Sequence, residues 1–165
     1  MNIFSGKDKV KEKKIEEILL QNYDSYYRLA YSYVHNEADA GDIVQNGAYK
    51  AIRGSHTLEQ AEYAATWIYR IMLNEIFRFC RERGKSIVSL DEMPVEQGRE
   101  DTYIDIDLQR ALDTLSPQDK AVVELRFFED RKLEDIARIL EENVSTVKSR
   151  LYRSMKKLRL ELEES

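Results

Sequence analysis

Apolar residues recur at helical spacing along almost the whole chain, and no segment sustains the period-two alternation and turn chemistry of a half-buried strand. That feature restricts the fold to an all-α arrangement. Ile15, Leu19, Tyr26, Leu29 and Tyr33 follow at spacings of four, seven, three and four, which places them on one face of a long first helix. A second helix is expected over Ala38–Ile52, with Ile43, Val44, Ala48, Ala51 and Ile52 apolar, and a third from about Glu59 to Arg83. Downstream, Leu108, Ala111, Leu112 and Leu115 predict a short helix that stops at Ser116-Pro117. There the serine can cap, and the proline suits the first turn of a helix to about Glu129. Leu133, Ile136, Ala137 and Leu140 mark another short helix, and Asn143 is placed to cap a last one through Leu162. Short helix, tight connection and basic helix together form a helix-turn-helix pattern.

The periodicity lapses once, between Gly84 and Asp107, in a stretch that holds Pro94, Gly98 and several polar residues. It reads as a flexible linker between two small helical domains, which span 10–83 and 105–163 with 84–104 between them. Composition enters through its distribution. A net charge of −5 argues at first sight against nucleic acid. Residues 1–83, however, carry 12 basic and 12 acidic side chains, 84–107 carry 2 and 7, and 108–165 carry 12 of each. The acidic excess is confined to the linker region, and screening acts over roughly 8 Å at physiological salt, so local faces decide the partners. No run reaches the roughly 20 apolar residues of a membrane span. The lysine-rich Met1–Lys14 lacks the apolar core of a secretory signal. The single cysteine, Cys80, reads as a small apolar helix residue and fits a reducing, cytoplasmic setting.

The last helix carries the clearest functional signal. Val147, Leu151, Met155, Leu158 and Leu162 share one face, expected to pack inward. Ser145, Ser149, Tyr152 and Lys156 fall opposite, flanked by Lys148 and Arg153. Six basic residues and no acidic one lie between Val144 and Arg159. Short hydroxyls that permit close approach, with Arg and Lys that reach guanine edges or phosphates, suit a DNA major groove; a merely solvated basic face is the blander reading.

The third helix carries a second signal. Ala65, Ile68, Met72, Ile76 and Phe79 form an inward stripe, and about 200° away lie Trp67, Arg70, Asn74, Arg78 and Arg81. An aromatic ring among cations suits unpaired bases and the phosphate backbone. Burial of Trp67 against the first helix accounts for the pattern equally well. The polar loop before it, Arg53, Gly54, Ser55, His56 and Thr57, has the composition to embrace a base turned out of the stack. The second helix offers Asp39, Asp42, Gln45, Asn46 and Tyr49 as polar positions, a pattern shared by most amphipathic helices. Catalysis finds little support: the two histidines, His35 and His56, form no metal-type cluster with cysteine, and phosphate-loop and nucleophile-elbow motifs are absent. No enzyme activity, metal or cofactor is expected.

Tyr31-Ser32-Tyr33-Val34, Asp39-Ala40-Gly41-Asp42-Ile43-Val44-Gln45, and Thr66-Trp67-Ile68-Tyr69-Arg70-Ile71 with Asn74 resemble region 2 of extracytoplasmic-function (ECF) sigma factors of the sigma-70 family. Leu115-Ser116-Pro117, Leu125-Arg126-Phe127-Phe128, Leu133-Glu134-Asp135-Ile136-Ala137, and Thr146-Val147-Lys148-Ser149-Arg150-Leu151-Tyr152-Arg153 resemble region 4. The likeness covers about residues 15–83 and 105–162 in the family's order, and the Leu125–Asp130 run and the turn at Asn143 are similar to the sigma-V-like subgroup.

The resemblance implies an alternative sigma factor that binds core RNA polymerase and directs initiation at selected promoters. Region 2 would dock on the β′ clamp coiled-coil through Asp39, Asp42, Gln45 and Tyr49. It would hold the −10 element with Arg53, Ser55, His56 and Thr57 and with the face of Trp67, Arg70, Asn74, Arg78 and Arg81. Region 4 would sit near the β flap and read the −35 element with Lys148, Ser149, Tyr152 and Arg153, beside Ser145, Thr146 and Lys156, with Arg126 as a phosphate clamp. A membrane-bound anti-sigma factor is the implied inhibitor, which would hold the protein at the inner face of the membrane without direct insertion. Two positions depart from the family pattern. Asn46-Gly47 follows Gln45 where an acidic residue is usual, and Glu141 stands where the helix-turn-helix connection usually has glycine. A free-standing helix-turn-helix regulator is the alternative, and a helical protein-interaction module a third class.

Overall fold

A computed structural model describes residues 6–83 and 101–164, with the side chains of Lys7 and of 101–105 outside the description. The chain divides into two compact units, Met1–Lys85 and Ser86–Ser165, and the described residues contain helices and no strand. Residues 84–100, most of the expected linker, lie outside the described residues.

The first unit is built from α1 (Gly6–Gln21), α2 (Tyr23–Val34), α3 (Glu37–Arg53) and α4 (Ala64–Arg83). The single long helix expected over Ile15–Tyr33 is two helices. Asn22 leaves the helical path at φ −116°, ψ 16°, and its side-chain amide donates to the Ile18 carbonyl at 3.0 Å. The seven-residue gap between Leu19 and Tyr26 is where the chain turns, and all five stripe residues are buried. The next turn ends α2 at His35, left-handed at φ 53°, and Asn36 then caps α3 by accepting from the Asp39 amide at 2.9 Å. On α3, Ala40, Ile43, Val44, Gly47 and Ala51 face inward at helical spacing. Tyr69 of α4 meets Tyr26 edge-on with centroids 5.1 Å apart, and Phe77 meets Tyr33 at 6.3 Å, so α2 and α4 lock through aromatic pairs. The third helix starts at Ala64, later than Glu59, because two short 3-10 turns, Ser55–Thr57 and Ala61–Tyr63, occupy the approach.

Gly47 of α3 sits directly against the Met72 side chain of α4. A methyl group there would overlap the Met72 sulfur and lie 3.1 Å from its Cε. The helix-weakening glycine is thus the condition for seating Met72, which is almost wholly buried.

The second unit comprises α5 (Asp101–Asp113), α6 (Pro117–Phe127), α7 (Leu133–Leu140) and α8 (Val144–Glu164). Helix α5 begins inside the stretch read as linker. Ser116 caps α6 as expected, its Oγ accepting from the Asp119 amide at 3.1 Å with Pro117 in the first turn. Helix α6 is the core element, with Ala121, Val122, Val123 and Leu125 all buried. Helix α7 ends at Glu141, which adopts the left-handed φ 56°, ψ 41° that favours glycine. Asn143 then caps α8, its Oδ1 accepting from the Thr146 amide at 2.8 Å.

Candidate nucleic-acid interface

Helix α8 is oriented by the residues it buries. Val147, Leu151 and Leu158 face inward as expected, but Met155 and Leu162 are 41% and 40% exposed and Ser154 is buried in their place. At 100° per residue the stripe centres between Leu151 and Ser154, which puts Met155 and Leu162 on its edge. The opposite face presents Ser145, Lys148, Ser149, Tyr152 and Lys156 to solvent, with Tyr152 71% exposed. Thr146 is half-buried at the cap. Arg126, at the end of α6, is partly exposed and 4.0 Å from Asp130, a surface pair worth at most about 1 kcal/mol.

Arg153, expected at the −35 element, is bonded to an acid of another helix. Its Nη2 donates to both Asp119 oxygens, at 2.9 and 3.0 Å. Arg150 donates to the same carboxylate from Nη1 at 2.8 Å and to Glu142 from Nε at 2.7 Å. Glu142 raises the Arg150 pKa most strongly, burial opposes the rise, and Asp119 adds to it. This network ties the start of α6 and the turn before α8 to α8 itself. Sequence reading passed over Asp119, Glu142 and Arg150, because an acid three residues after a capping serine looks like an ordinary first-turn residue. Only the fold brings α8 to it.

In the first unit the structure brings Trp67 and the Arg53–Thr57 loop together. Trp67 is half-buried, and a Cβ at Gly54 would sit 3.8 Å from the indole Cζ2 and Cη2. Arg53 is exposed, donates to the Tyr49 hydroxyl at 3.2 Å and lies 5.9 Å from that ring's centroid. His56 and Thr57 are exposed, and the Thr57 hydroxyl donates to the Gly54 carbonyl at 2.6 Å. Ser55, expected among the loop's contact residues, is fully buried, so its hydroxyl is not presented at the surface. Asn74 and Arg81 are exposed and Arg70 is half-buried. Of the inward stripe expected on this helix, Ala65 and Phe79 are only half-buried, while Ala64, Tyr69 and Leu73 fill the interior.

Arg78 is drawn aside from that outer stripe. Its Nη2 donates to Glu75 at 2.7 Å, and Glu75 also pairs with Lys50 of α3. Glu75 is 5% exposed, a buried anion beside a face that reads as free of acid in sequence. On α3, Asp42, Gln45 and Tyr49 are exposed within about 60° of one another around the helix. Asp39 is partly buried and 3.8 Å from Arg83.

Two family models match the chain: sigma-70 region 2 over residues 18–86 and sigma-70 region 4 over residues 105–158. The RNA polymerase sigma factor SigV of Bacillus subtilis is 42% identical over 93% of this chain and 96% of its own length. The RNA polymerase sigma-E factor of Streptomyces coelicolor is 31% identical over 90% of this chain and 86% of its own. Among solved structures, the sigma factor RpoE of Bartonella quintana, in complex with the anti-sigma factor NepR, superposes with a TM-score of 0.75 at 26% identity, covering 92% of this chain and 98% of that one. CnrH, in complex with the cytosolic domain of CnrY, shares the fold at a TM-score of 0.73 and 18% identity, over 92% of this chain and 88% of that one.

Proposed function

The chain belongs to the extracytoplasmic-function sigma factors of the sigma-70 family, and from that premise we propose how it directs transcription initiation. The first unit docks on the β′ clamp coiled-coil of core RNA polymerase through Asp39, Asp42, Gln45 and Tyr49. It holds the opened −10 strand with Arg53, His56 and Thr57 of the loop and with Trp67, Arg70, Asn74, Arg78 and Arg81. Ser55 shapes the loop from inside. The second unit sits near the β flap and reads the −35 element as duplex. Ser145, Lys148, Ser149, Tyr152, Arg153 and Lys156 enter the groove, Thr146 sits at the helix start, and Arg126 meets a phosphate.

The observation that carries this reading is the pairing of two unlike surfaces in one chain. A helix with exposed hydroxyls, lysines and an exposed Tyr152 suits duplex, while a half-buried tryptophan beside a polar loop and arginines suits unpaired bases. A free-standing helix-turn-helix regulator needs only the first. Asn46, where an acid is usual, makes the clamp contact less acidic than in most of the family.

No helix among the described residues is long and apolar enough to cross a membrane. We place the protein in the bacterial cytoplasm, restrained at the membrane's inner face by a membrane-bound anti-sigma factor. The complex of RpoE with the anti-sigma factor NepR supports an anti-sigma partner. The test of the function is run-off transcription from fragmented genomic DNA of the source organism, with bacterial core polymerase and with or without this protein. Discrete protein-dependent transcripts that share spaced −35 and −10 elements are expected. Their absence, together with failure to co-purify with core, would overturn the proposal.

A further inference from the structure

We infer that Asp119 is a positioning residue for promoter readout: its carboxylate fixes the direction in which Arg153 meets DNA. The inference rests on the reading of α8 as the −35 face and deepens it. Asp119 is 8% exposed, in the first turn of α6, where Ser116 holds its backbone amide. Its carboxylate is itself held, because Arg150 bonds it from Nη1 while Nε of the same guanidinium bonds Glu142. Against this anchored group Arg153 places Nη2, 2.9 and 3.0 Å from the two oxygens, while its side chain remains 62% exposed. Nη1 and Nε are left for a ligand on the face shared with Ser149 and Lys156.

The physical consequence is preorganisation. An unrestrained arginine must surrender much rotamer freedom on binding, whereas one tethered at its far end has surrendered most of it already. Both paired-donor edges of the planar fork include Nη2, so with that amine held, Nη1 is aimed in one direction as a charged donor to a single acceptor, such as N7 or O6 of guanine. Asp119 also lowers the local positive charge, so its removal strengthens sequence-independent attraction to phosphates. Discrimination and gross affinity should therefore move in opposite directions, a signature that a merely structural role lacks.

The test uses the full chain with bacterial core polymerase on a barcoded template pool randomised across the −35 element. Asp119→Asn should keep or raise total transcription, while preference for the best templates over scrambled ones falls about tenfold. Arg153→Ala should lose a similar preference, and adding Asp119→Asn to it should change nothing further. Unchanged preference in Asp119→Asn, or an equal loss in the Arg153→Ala background, overturns the inference. If circular dichroism shows Asp119→Asn unfolded, Arg153→Lys takes its place: it keeps the charge and loses the fork, so the same loss of preference is expected and an unchanged one is fatal. A wild-type chain that yields no protein-dependent transcripts removes the −35 reading and this inference with it. Wild-type preference that survives Asp119→Asn removes the inference alone.

Discussion

Two glycines of α3 should respond oppositely to the same substitution. Alanine in a helix interior is favoured over glycine by about 1 kcal/mol. At Gly41 an added Cβ meets nothing within 4 Å, so Gly41→Ala should gain that full amount. At Gly47 the new methyl overlaps the Met72 sulfur and lies 3.1 Å from Cε. Met72 is 1% exposed and walled in by the core, so its thioether cannot swing into solvent. Overpacking of this kind costs roughly 1–3 kcal/mol. Set against the helical gain, Gly47→Ala should destabilise by about 1 kcal/mol, which leaves the two variants about 2 kcal/mol apart. The chain's single tryptophan, Trp67, lies in the same unit and makes urea unfolding by fluorescence a unit-specific assay. A shift in midpoint at constant slope is the signature sought. Gly47→Ala as stabilising as Gly41→Ala would mean that Met72 yields without cost, and the account of close α3–α4 packing would fail.

Four further outcomes are expected. Glu141→Gly should stabilise the second unit by about 1 kcal/mol in calorimetry, since glycine accepts the left-handed backbone that Glu141 occupies at φ 56°. Asn143→Ala should cost about 1 kcal/mol and speed amide exchange in the first turn of α8, because the cap on the Thr146 amide is lost. Arg150→Ala should cost about 2–3 kcal/mol by leaving Asp119 and Glu142 short of a cation. Arg153→Ala should weaken −35-dependent run-off transcription by the equivalent of about 1–3 kcal/mol, and an unchanged transcript level would remove Arg153 from the contact set.

Helix order and caps were legible because each rests on neighbours in sequence. Ser116-Pro117 and Asn143 act within three residues of themselves, and the structure gives both as capped helix starts. The break at Asn22 was illegible because the apolar stripe crosses it in phase, so periodicity registers one helix where the backbone makes two. The outward side of α8 could be read from angular position alone, yet the edge of its buried stripe could not: Met155 and Leu162 needed a partner helix that does not extend to cover them. Gly47 looked like a defect until the position of Met72, 25 residues away, gave it a reason. Ser55 looked like a surface hydroxyl because a polar loop carries no period from which its direction could be taken.

Two of the buried acidic residues, Glu75 and Asp119, share one logic, and it qualifies the use of charge counts. Glu75 holds Lys50 and Arg78, and Asp119 holds Arg150 and Arg153, each from a buried residue. Taking a carboxylate so far out of water costs several kcal/mol, which the cations held against it offset. Those arginines are consequently part of the fold, and what they offer at the surface is a direction rather than a full unit of charge. Other cations differ: Lys148 and Lys156 on α8 and Arg81 on α4 are exposed, and among the described residues none of them is in an ion pair. Long-range attraction to phosphate, and the salt dependence that follows, should come chiefly from this second set. Discrimination should come from the first, because only a held guanidinium has a geometry to impose. The net charge of −5 sums both sets with a linker-region excess and so describes neither.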